Sequence, residues 1–248
     1  FKVLCGLTGT GKTYILQRLA LRGAQVLDLE NLATHRGSLL GEQWQTPQPT
    51  QKYFESQLLS QLQCFDFKQP VWVEAESNQI GRLYLPQALW QQITQSDCVE
   101  IQMPLAPRIQ WLLQQYPHLT AHPDILKTKL HKLKFRYGRQ KLNEWFRLID
   151  AHNWEALVTD LLQSHYDPTY AYGTQRYYTK VKRVFTLSNL SSTVVDNLVD
   201  VLIPNAGESD GCSTWGTPQE RVVHRNATCS SSLLQDSRTS RKPSSLES

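Results

Sequence analysis

A glycine-rich motif near the first residue constrains this chain more than any other feature. It reads Gly6-Leu7-Thr8-Gly9-Thr10-Gly11-Lys12-Thr13, which satisfies the pattern G-x-x-x-x-G-K-[ST]. The apolar run Lys2-Val3-Leu4-Cys5 precedes it, and after it apolar residues recur at helical spacing: Ile15, Leu16, Leu19 and Ala20. A strand, this loop and a helix in succession predict a phosphate-binding loop at the carboxyl edge of a sheet.

The residue types in this loop suit a phosphate and a magnesium ion. The candidate phosphate ligands are the loop glycines Gly6, Gly9 and Gly11, which let backbone N–H groups surround the anion, together with Lys12 and Thr13. Lys12 would neutralise the outer phosphates, and the Thr13 hydroxyl would ligate Mg²⁺. The alternative is an accidental glycine-rich turn, which the flanking strand and helix argue against.

Two acidic residues follow the apolar run Val71-Trp72-Val73. Glu74 ends that predicted strand, and alternation along an extended chain puts Glu74 and Glu76 on the same side. One of them would contact Mg²⁺ and the other would act as a base or an ion-pair partner, so both are candidate catalytic residues and Glu74 is a candidate metal ligand. A solvated strand end would look the same. Asp28 and Glu30, after the second predicted strand, are weaker candidates.

Three further candidates lie in loops that follow strands. His35 and Arg36 come after the second strand, and Arg82 comes after the third. In a parallel sheet these loops share the edge that carries the phosphate loop. We therefore expect Arg36 and Arg82 to bind phosphate and His35 to exchange protons, although surface loops have similar compositions.

Short apolar runs alternate with helical patterns through the first part of the chain, which predicts an α/β fold with a parallel sheet. We expect a P-loop NTPase-like α/β core over residues 1–104 and a helical, basic extension over 105–185. Residues 186–248 are rich in Ser, Thr and Asn, and we expect a low-complexity, disordered tail there, with one short apolar stretch, Val194–Ile203, able to pack. No internal repeat is visible.

Two clusters combine basic residues with aromatic ones, a mixture suited to RNA phosphates and bases. A solvated helix face is the alternative, since most charge runs are that. The formal net charge of the whole chain is only +4, so these clusters concentrate much of its positive charge. The candidate RNA-binding residues are Lys127, Lys129, Lys132, Lys134, Arg136, Arg139 and Lys141 in the first cluster and Lys180, Lys182 and Arg183 in the second.

Composition excludes several classes of protein. No run approaches the ~18 consecutive apolar residues of a membrane span. The five cysteines show no C-x-x-C spacing, which argues against a zinc site or a disulfide framework and favours the cytoplasm. The chain starts at Phe1 and its only methionine is Met103, so we expect it to be a piece of a longer protein.

The motifs beyond the phosphate loop resemble one family in order. They are Val26-Leu27-Asp28-Leu29-Glu30 with His35-Arg36-Gly37-Ser38, then Gln48-Pro49-Thr50-Gln51 with Phe54-Glu55, Val73-Glu74-Ala75-Glu76-Ser77 with Ile80-Gly81-Arg82, and His165-Tyr166-Asp167-Pro168-Thr169-Tyr170. From Phe1 to about Arg183 the chain resembles the C-terminal P-loop domain of the bacterial tRNA 2-selenouridine synthases, which use selenophosphate.

The resemblance implies a transferase that converts wobble 2-thiouridine of tRNA to 2-selenouridine through an S-geranylated intermediate made with geranyl diphosphate. Selenophosphate would be the co-substrate of the full enzyme. A rhodanese-like domain carries the reactive cysteine in the family and is not in this sequence, so such a domain in trans is a candidate partner. Cys5 is expected to be a core residue rather than that cysteine.

The ligand of the phosphate loop stays open at this stage, because such a loop recognises phosphates and not the group attached to them. ATP and geranyl diphosphate are both candidates. A prenyl chain would need an apolar groove, for which Trp72, Tyr84, Leu85 and Trp90 are candidate lining residues, unless they belong to the core. Two other functions are compatible with the residues: a stand-alone NTPase or small-molecule kinase, and a non-catalytic nucleotide- and RNA-binding fragment.

Overall fold

The structure is a computed structural model that describes residues 1–43 and 45–203. Within these residues the strands are β1 (Lys2–Gly6), β2 (Gln25–Leu27), β3 (Val71–Glu74), β4 (Gln79–Ile80), β5 (Leu83–Tyr84), β6 (Asp97–Gln102) and β7 (Val181–Thr186). The helices are α1 (Lys12–Leu21), α2 (Leu29–Ala33), α3 (Gln51–Gln63), α4 (Gln87–Thr94), α5 (Leu105–Gln115), α6 (Pro117–Ala121), α7 (Pro123–His131), α8 (Lys134–Asp150), α9 (Trp154–Leu161), α10 (Asp167–Tyr177) and α11 (Ser192–Leu202).

The central sheet of the described region is parallel and has the order β2-β3-β1-β6-β7. This confirms the predicted α/β fold with a parallel sheet. After β1 the chain crosses to β2 on one side, whereas after β3 it crosses past β1 to β6 on the other. The loops that follow β1 and β3 therefore diverge, and such a switch point leaves a crevice at the carboxyl edge where ligands bind.

Alternate residues of the strands supply two apolar cores, one on each face of the sheet. Val3 and Cys5 face the core that includes α2, α3 and α4, whereas Leu4 faces the core formed with α1 and α11. A third core joins α5 to the helices that follow it around Trp145, which is fully buried. The sheet and the helical part thus each have an apolar interior of their own.

Two elements differ from the expected organisation. Residues 181–186, assigned to the helical extension and the start of the tail, form β7, which pairs with β6 at the edge of the sheet. Helix α11 lies inside the predicted tail, yet Val195 and Val199 are fully buried against the α1 side of the sheet. The apolar stretch noted in the sequence is therefore a helix of the core. The rest of the predicted tail, residues 204–248, lies outside the described residues.

None of the helices in the described residues has the length and apolar character needed to cross a membrane.

Candidate active site

The phosphate loop leaves the carboxyl end of β1 and runs into α1, as the motif predicts. At two positions of the loop, neighbouring atoms come so close that only glycine fits. A Cβ on Gly6 (φ +150°) would lie 2.6 Å from the Ile101 carbonyl oxygen, and one on Gly9 (φ +83°) would lie 3.0 Å from Leu112 Cδ1. The loop therefore fits between β6 and α5 only without side chains at these positions.

Lys12 is nearly buried and lies across the loop. Its Nζ donates a hydrogen bond to the Gly6 carbonyl oxygen at 3.0 Å and lies 5.1 Å from the centroid of the Tyr170 ring. Within the loop, the Thr10 hydroxyl donates to the Leu7 carbonyl oxygen at 2.8 Å and closes the turn. The cation is thus held at the loop before any phosphate binds, which reduces the entropy lost on binding.

Three carboxylates meet beside Thr13. The Thr13 Oγ1 lies 2.9 Å from Glu30 Oε2 and 3.3 Å from Glu74 Oε2. One ligand oxygen from each of Glu30, Glu74 and Glu76 lies within 4.8 Å of the others. The Oε1 atoms of Glu74 and Glu76 are buried without a hydrogen-bond partner among the described residues.

This oxygen-rich cluster fits a divalent cation. Unpartnered buried carboxylate oxygens are costly, and a cation of matching preference would satisfy those of the carboxylates that hold it. Thr13, Glu30 and Glu74 surround the mouth of the phosphate loop and would hold Mg²⁺ there. Glu30, a weaker candidate in the sequence, thus belongs to the site through its contact with Thr13.

Burial and mutual repulsion make the acids hard to ionise. The pKa of Glu74 is raised well above its usual value by burial, then by the charges of Glu30 and Glu76. Burial raises the pKa of Glu76 to about 8, with Glu30 adding to the shift and Lys12 opposing it. Burial also raises the pKa of Glu30. A bound cation would reverse these shifts because it favours the ionised forms.

Glu30 and Glu74 open, together with the phosphate loop, into a cavity of about 440 Å³ at the crevice. Lys12, Thr13, Glu30, Glu74 and Arg36 line it, and aromatic rings form part of its wall: Trp111, Tyr116 and Tyr170. The Arg36 guanidinium donates from Nη1 to the Gln115 carbonyl oxygen at 3.1 Å and lies 4.8 Å from the Tyr116 ring centroid. The structure therefore brings Arg36 to the phosphate loop.

Two predicted residues are not brought to this cavity. His35 is buried, its backbone pairs with Glu42, and burial lowers its pKa, but it is not among the residues that line the cavity. Arg82 is exposed; its backbone N–H donates to Gln48 Oε1 at 2.9 Å and its guanidinium to the Gln48 carbonyl oxygen. Arg82 thus fixes a neighbouring loop, because the turn between β4 and β5 points it there.

The residues suggested for an apolar groove do not share one. Trp72 belongs to the core on the α1 face of the sheet, whereas Leu85 and Trp90 pack in the core on the opposite face, and Tyr84 is half exposed. Instead, a separate apolar cavity lies among the helices of the extension. It shares four wall residues with the phosphate cavity: Thr8, Ser38, Leu112 and Tyr116.

A buried ion pair connects the helical part to the phosphate loop. Arg108, on α5, donates from Nε to the Thr8 carbonyl oxygen at 2.8 Å and from Nη1 and Nη2 to the two Asp167 carboxylate oxygens at 3.1 and 2.5 Å. Residue-by-residue reasoning missed Arg108, Asp167 and Tyr170. The sequence signal that could have identified Asp167 and Tyr170 is the motif His165–Tyr170, which carries part of the family resemblance.

The basic residues divide into two groups. Lys129 and Lys141 bridge to Glu42 and Asp160 at 2.5 and 2.7 Å, and Lys127 pairs with Asp150. Lys180 donates to the Gln95 carbonyl oxygen at 2.7 Å. Among the described residues no ion pair engages the rest of the candidate RNA ligands: Lys132, Lys134, Arg136, Arg139, Lys182 and Arg183.

The solved structures that resemble this chain include one with a low overall likeness. A shikimate kinase from Bacteroides thetaiotaomicron is 15% identical, with a TM-score of 0.35, over 81% of this chain and 94% of that one. A likeness at this level supports no conclusion about function.

Comparison with protein families is far more specific. The model of the family described as "tRNA 2-selenouridine synthase AAA domain" matches residues 1–199. The match confirms the resemblance and extends it past Arg183 through most of α11. With four-fifths of its residues covered, the chain belongs to the family of tRNA 2-selenouridine synthase AAA domains.

Proposed function

We propose that this domain binds geranyl diphosphate and transfers the geranyl group to the sulfur of wobble 2-thiouridine in tRNA. In the full enzyme, selenium from selenophosphate would then replace the geranylated sulfur and give 2-selenouridine. A rhodanese-like domain, in cis or in trans, would supply the cysteine for that later step.

One observation carries the choice of geranyl diphosphate: the phosphate cavity and the apolar cavity have walls in common. A ligand with a diphosphate at one end and a hydrocarbon at the other matches this pair of surfaces. The apolar cavity measures only about 70 Å³, so a ten-carbon chain would enter only if side chains such as Leu113 and Val158 moved apart.

The residues of the site suit the bond changes of this transfer. A C–S bond forms while the C–O bond to the diphosphate breaks, the diphosphate leaves with the electron pair, and the base loses its N3 proton. Lys12, Arg36 and the loop N–H groups would stabilise the charge that develops on the diphosphate. Glu76, whose raised pKa a bound cation would lower so that the carboxyl group is ionised, would accept the proton.

Mg²⁺ held by Thr13, Glu30 and Glu74 would supply further positive charge to the leaving diphosphate. The tRNA would lie on the unpaired basic residues, with Lys132 and Arg136 on the helical part and Lys182 on β7.

Calorimetric titration of the whole chain with geranyl diphosphate, Mg-ATP and inorganic pyrophosphate tests the proposal. We expect geranyl diphosphate to bind more tightly than pyrophosphate. The Lys12→Ala variant should lose the binding of both ligands. Val158→Thr places a hydroxyl in the apolar cavity at nearly constant volume. This variant should bind geranyl diphosphate more weakly and pyrophosphate with unchanged affinity. Equal affinity for the two diphosphates in the wild type would exclude the prenyl ligand.

A stand-alone NTPase or small-molecule kinase is the second candidate, and the placement of Thr13 against Glu74 favours it, since this pair is what a nucleotide-bound Mg²⁺ requires. Binding of Mg-ATP alone, with turnover independent of RNA, would support this function in place of the first.

A further inference from the structure

A third cavity, of about 290 Å³, is lined by residues that follow β3 and by residues of α10 and the turn before it. The residues of its wall include Glu76, Ser77, His165 and several tyrosines: Tyr166, Tyr170, Tyr177 and Tyr178. Neither Lys nor Arg is among its described lining residues. A wall with four tyrosines and one acidic residue, and without Lys or Arg among its described residues, disfavours a phosphate and suits a planar polar ligand.

Glu76, a residue of this wall, has a carboxylate oxygen without a hydrogen-bond partner in the described part of the chain. The side chain is 6% exposed, and its Oε1 has no hydrogen-bond partner among the described residues. Its own carbonyl oxygen accepts a hydrogen bond from the Tyr178 hydroxyl at 2.5 Å, which fixes the backbone. A buried acceptor left unpaired, on a residue whose backbone is fixed, points to a ligand that donates an N–H or O–H.

The aromatic groups are held in place by neighbours outside the cavity. His165 and Tyr166 end a π-helical turn, Leu162–Tyr166, and the His165 Nδ1 lies 3.0 Å from the Tyr137 hydroxyl. Trp90 meets the rings of Tyr177 and Tyr178 edge-on, with centroids 5.5 and 6.0 Å away. π-Helical turns occur often at functional sites, and this one directs the predicted motif towards the cavity.

We propose that this cavity receives a pyrimidine base turned out of single-stranded RNA, with the base stacked on tyrosine rings and its N3–H donated to the free oxygen of Glu76. The inference rests on the proposed function, for which it supplies the acceptor site. Bases that are modified by enzymes are typically read in this way, through stacking and through hydrogen bonds to their pairing edge.

The position of the cavity agrees with an acceptor role. Ser38 lines all three cavities, and Tyr170 lines both the phosphate cavity and this one. A base held here would therefore lie beside a donor whose phosphates occupy the loop. The ring of Tyr170 separates the base from Lys12, which approaches that ring to 5.1 Å.

The test uses Gly173, which lines the cavity from α10. A Cβ at this position would meet no atom within 4 Å, so a side chain can begin here without a clash at its first atom. Gly173→Phe would occupy the cavity, and Gly173→Ala is the matched control. Tyr177→Ala, at an exposed position, removes a tyrosine ring of the wall and gives a second variant with a smaller expected effect on folding.

Fluorescence anisotropy would compare two RNA stem-loops, one with 2-thiouridine in the loop and one abasic at that position. We expect the wild type and Gly173→Ala to bind the base-bearing RNA about tenfold more tightly, since one stacked base contributes roughly that much. Gly173→Phe and Tyr177→Ala should lose the difference while still binding geranyl diphosphate.

The remaining outcomes overturn the inference in distinguishable ways. If both variants keep the preference, or if the wild type binds the two RNAs equally, the cavity does not read a base and the proposed function stands. If the wild type binds neither RNA, the tRNA part of the proposed function fails as well. If Gly173→Phe misfolds and therefore no longer binds geranyl diphosphate, the RNA preference of Tyr177→Ala decides whether the cavity reads a base.

Discussion

At the scale of single residues, the site is dominated by an excess of buried acid. Glu30, Glu74 and Glu76 converge within 4.8 Å, and among the described residues the charge of Lys12 opposes the pKa shifts of all three. A folded chain accepts such crowding by keeping protons on the carboxyl groups or by binding a cation. The stability of the protein should therefore depend on pH and on Mg²⁺ together.

Replacement of Glu76 by Gln should reduce the loss of stability with rising pH. The folded pKa of about 8 exceeds the usual 4.5, so between these values the native state holds a proton that the unfolded state has released. Stability therefore falls as pH rises through this window, by on the order of a few kcal/mol. Urea unfolding of the wild type and of Glu76→Gln at pH 5, 6.5 and 8, with a chelator present, measures the free energy of unfolding. Parallel pH profiles of the two proteins would contradict the prediction.

Arg108→Ala should destabilise the fold by about 3–5 kcal/mol, because it leaves Asp167 without its partner at a partly buried position. It should also weaken pyrophosphate binding, since the Thr8 carbonyl loses its restraint. Arg22→Ala is the control, as it removes an exposed pair with Asp200 that contributes about 1 kcal/mol or less. Similar unfolding free energies for the two variants would argue against this role of Arg108.

How far the site could be predicted depends on whether side-chain direction follows from the local pattern. Lys12 and Thr13 begin a helix at a defined loop, and Glu74 ends a strand, so their positions follow from the motif and the sheet. Arg82 and His35 lie in loops whose turns depend on tertiary contacts, such as the bond between Arg82 and Gln48. Nothing local in the sequence specifies those turns.

At the scale of elements, α11 and β7 show the limits of composition. Strand β7 carries Lys182 and Arg183, and its exposed, charged face is typical of an edge strand, so its apolar alternation is weak. The buried residues of α11 recur at helical spacing, but the Ser- and Asn-rich residues before the helix conceal it. Both elements are defined by what they pack against, which a local pattern does not contain.

Because α11 completes the core against α1, Leu198→Ala should cost about 2–5 kcal/mol of unfolding free energy. Val201→Ala, on the exposed face of the same helix, should change it by about 0.5 kcal/mol or less. Chemical denaturation of both variants tests whether α11 belongs to the cooperative fold. Equal small effects would mean that the helix contributes little to the core.

At the scale of the whole molecule, the distribution of charge decides how RNA could bind. Acidic neighbours neutralise Lys127, Lys129 and Lys141, so these lysines stabilise the fold and add little to a field that attracts RNA. The unpaired residues Lys132, Arg136 and Arg139 are exposed near the junction of α7 and α8. A sequence count of basic residues cannot separate these two groups, because their acidic partners lie far away along the chain.

Replacing Lys132, Arg136 and Arg139 together by Ala should weaken the binding of a 2-thiouridine stem-loop and make it less sensitive to salt. Each lost phosphate contact lowers the slope of log K against log salt by about 0.7–0.9, so the triple variant should lose about 2–3 from the slope. The control, Lys52→Ala with Lys68→Ala, removes exposed lysines outside both clusters and should leave the slope nearly unchanged. Anisotropy titrations over a range of salt concentrations measure both proteins. An unchanged slope in the triple variant would move the RNA to another surface, for which the exposed residues Lys182 and Arg183 of β7 are the next to substitute.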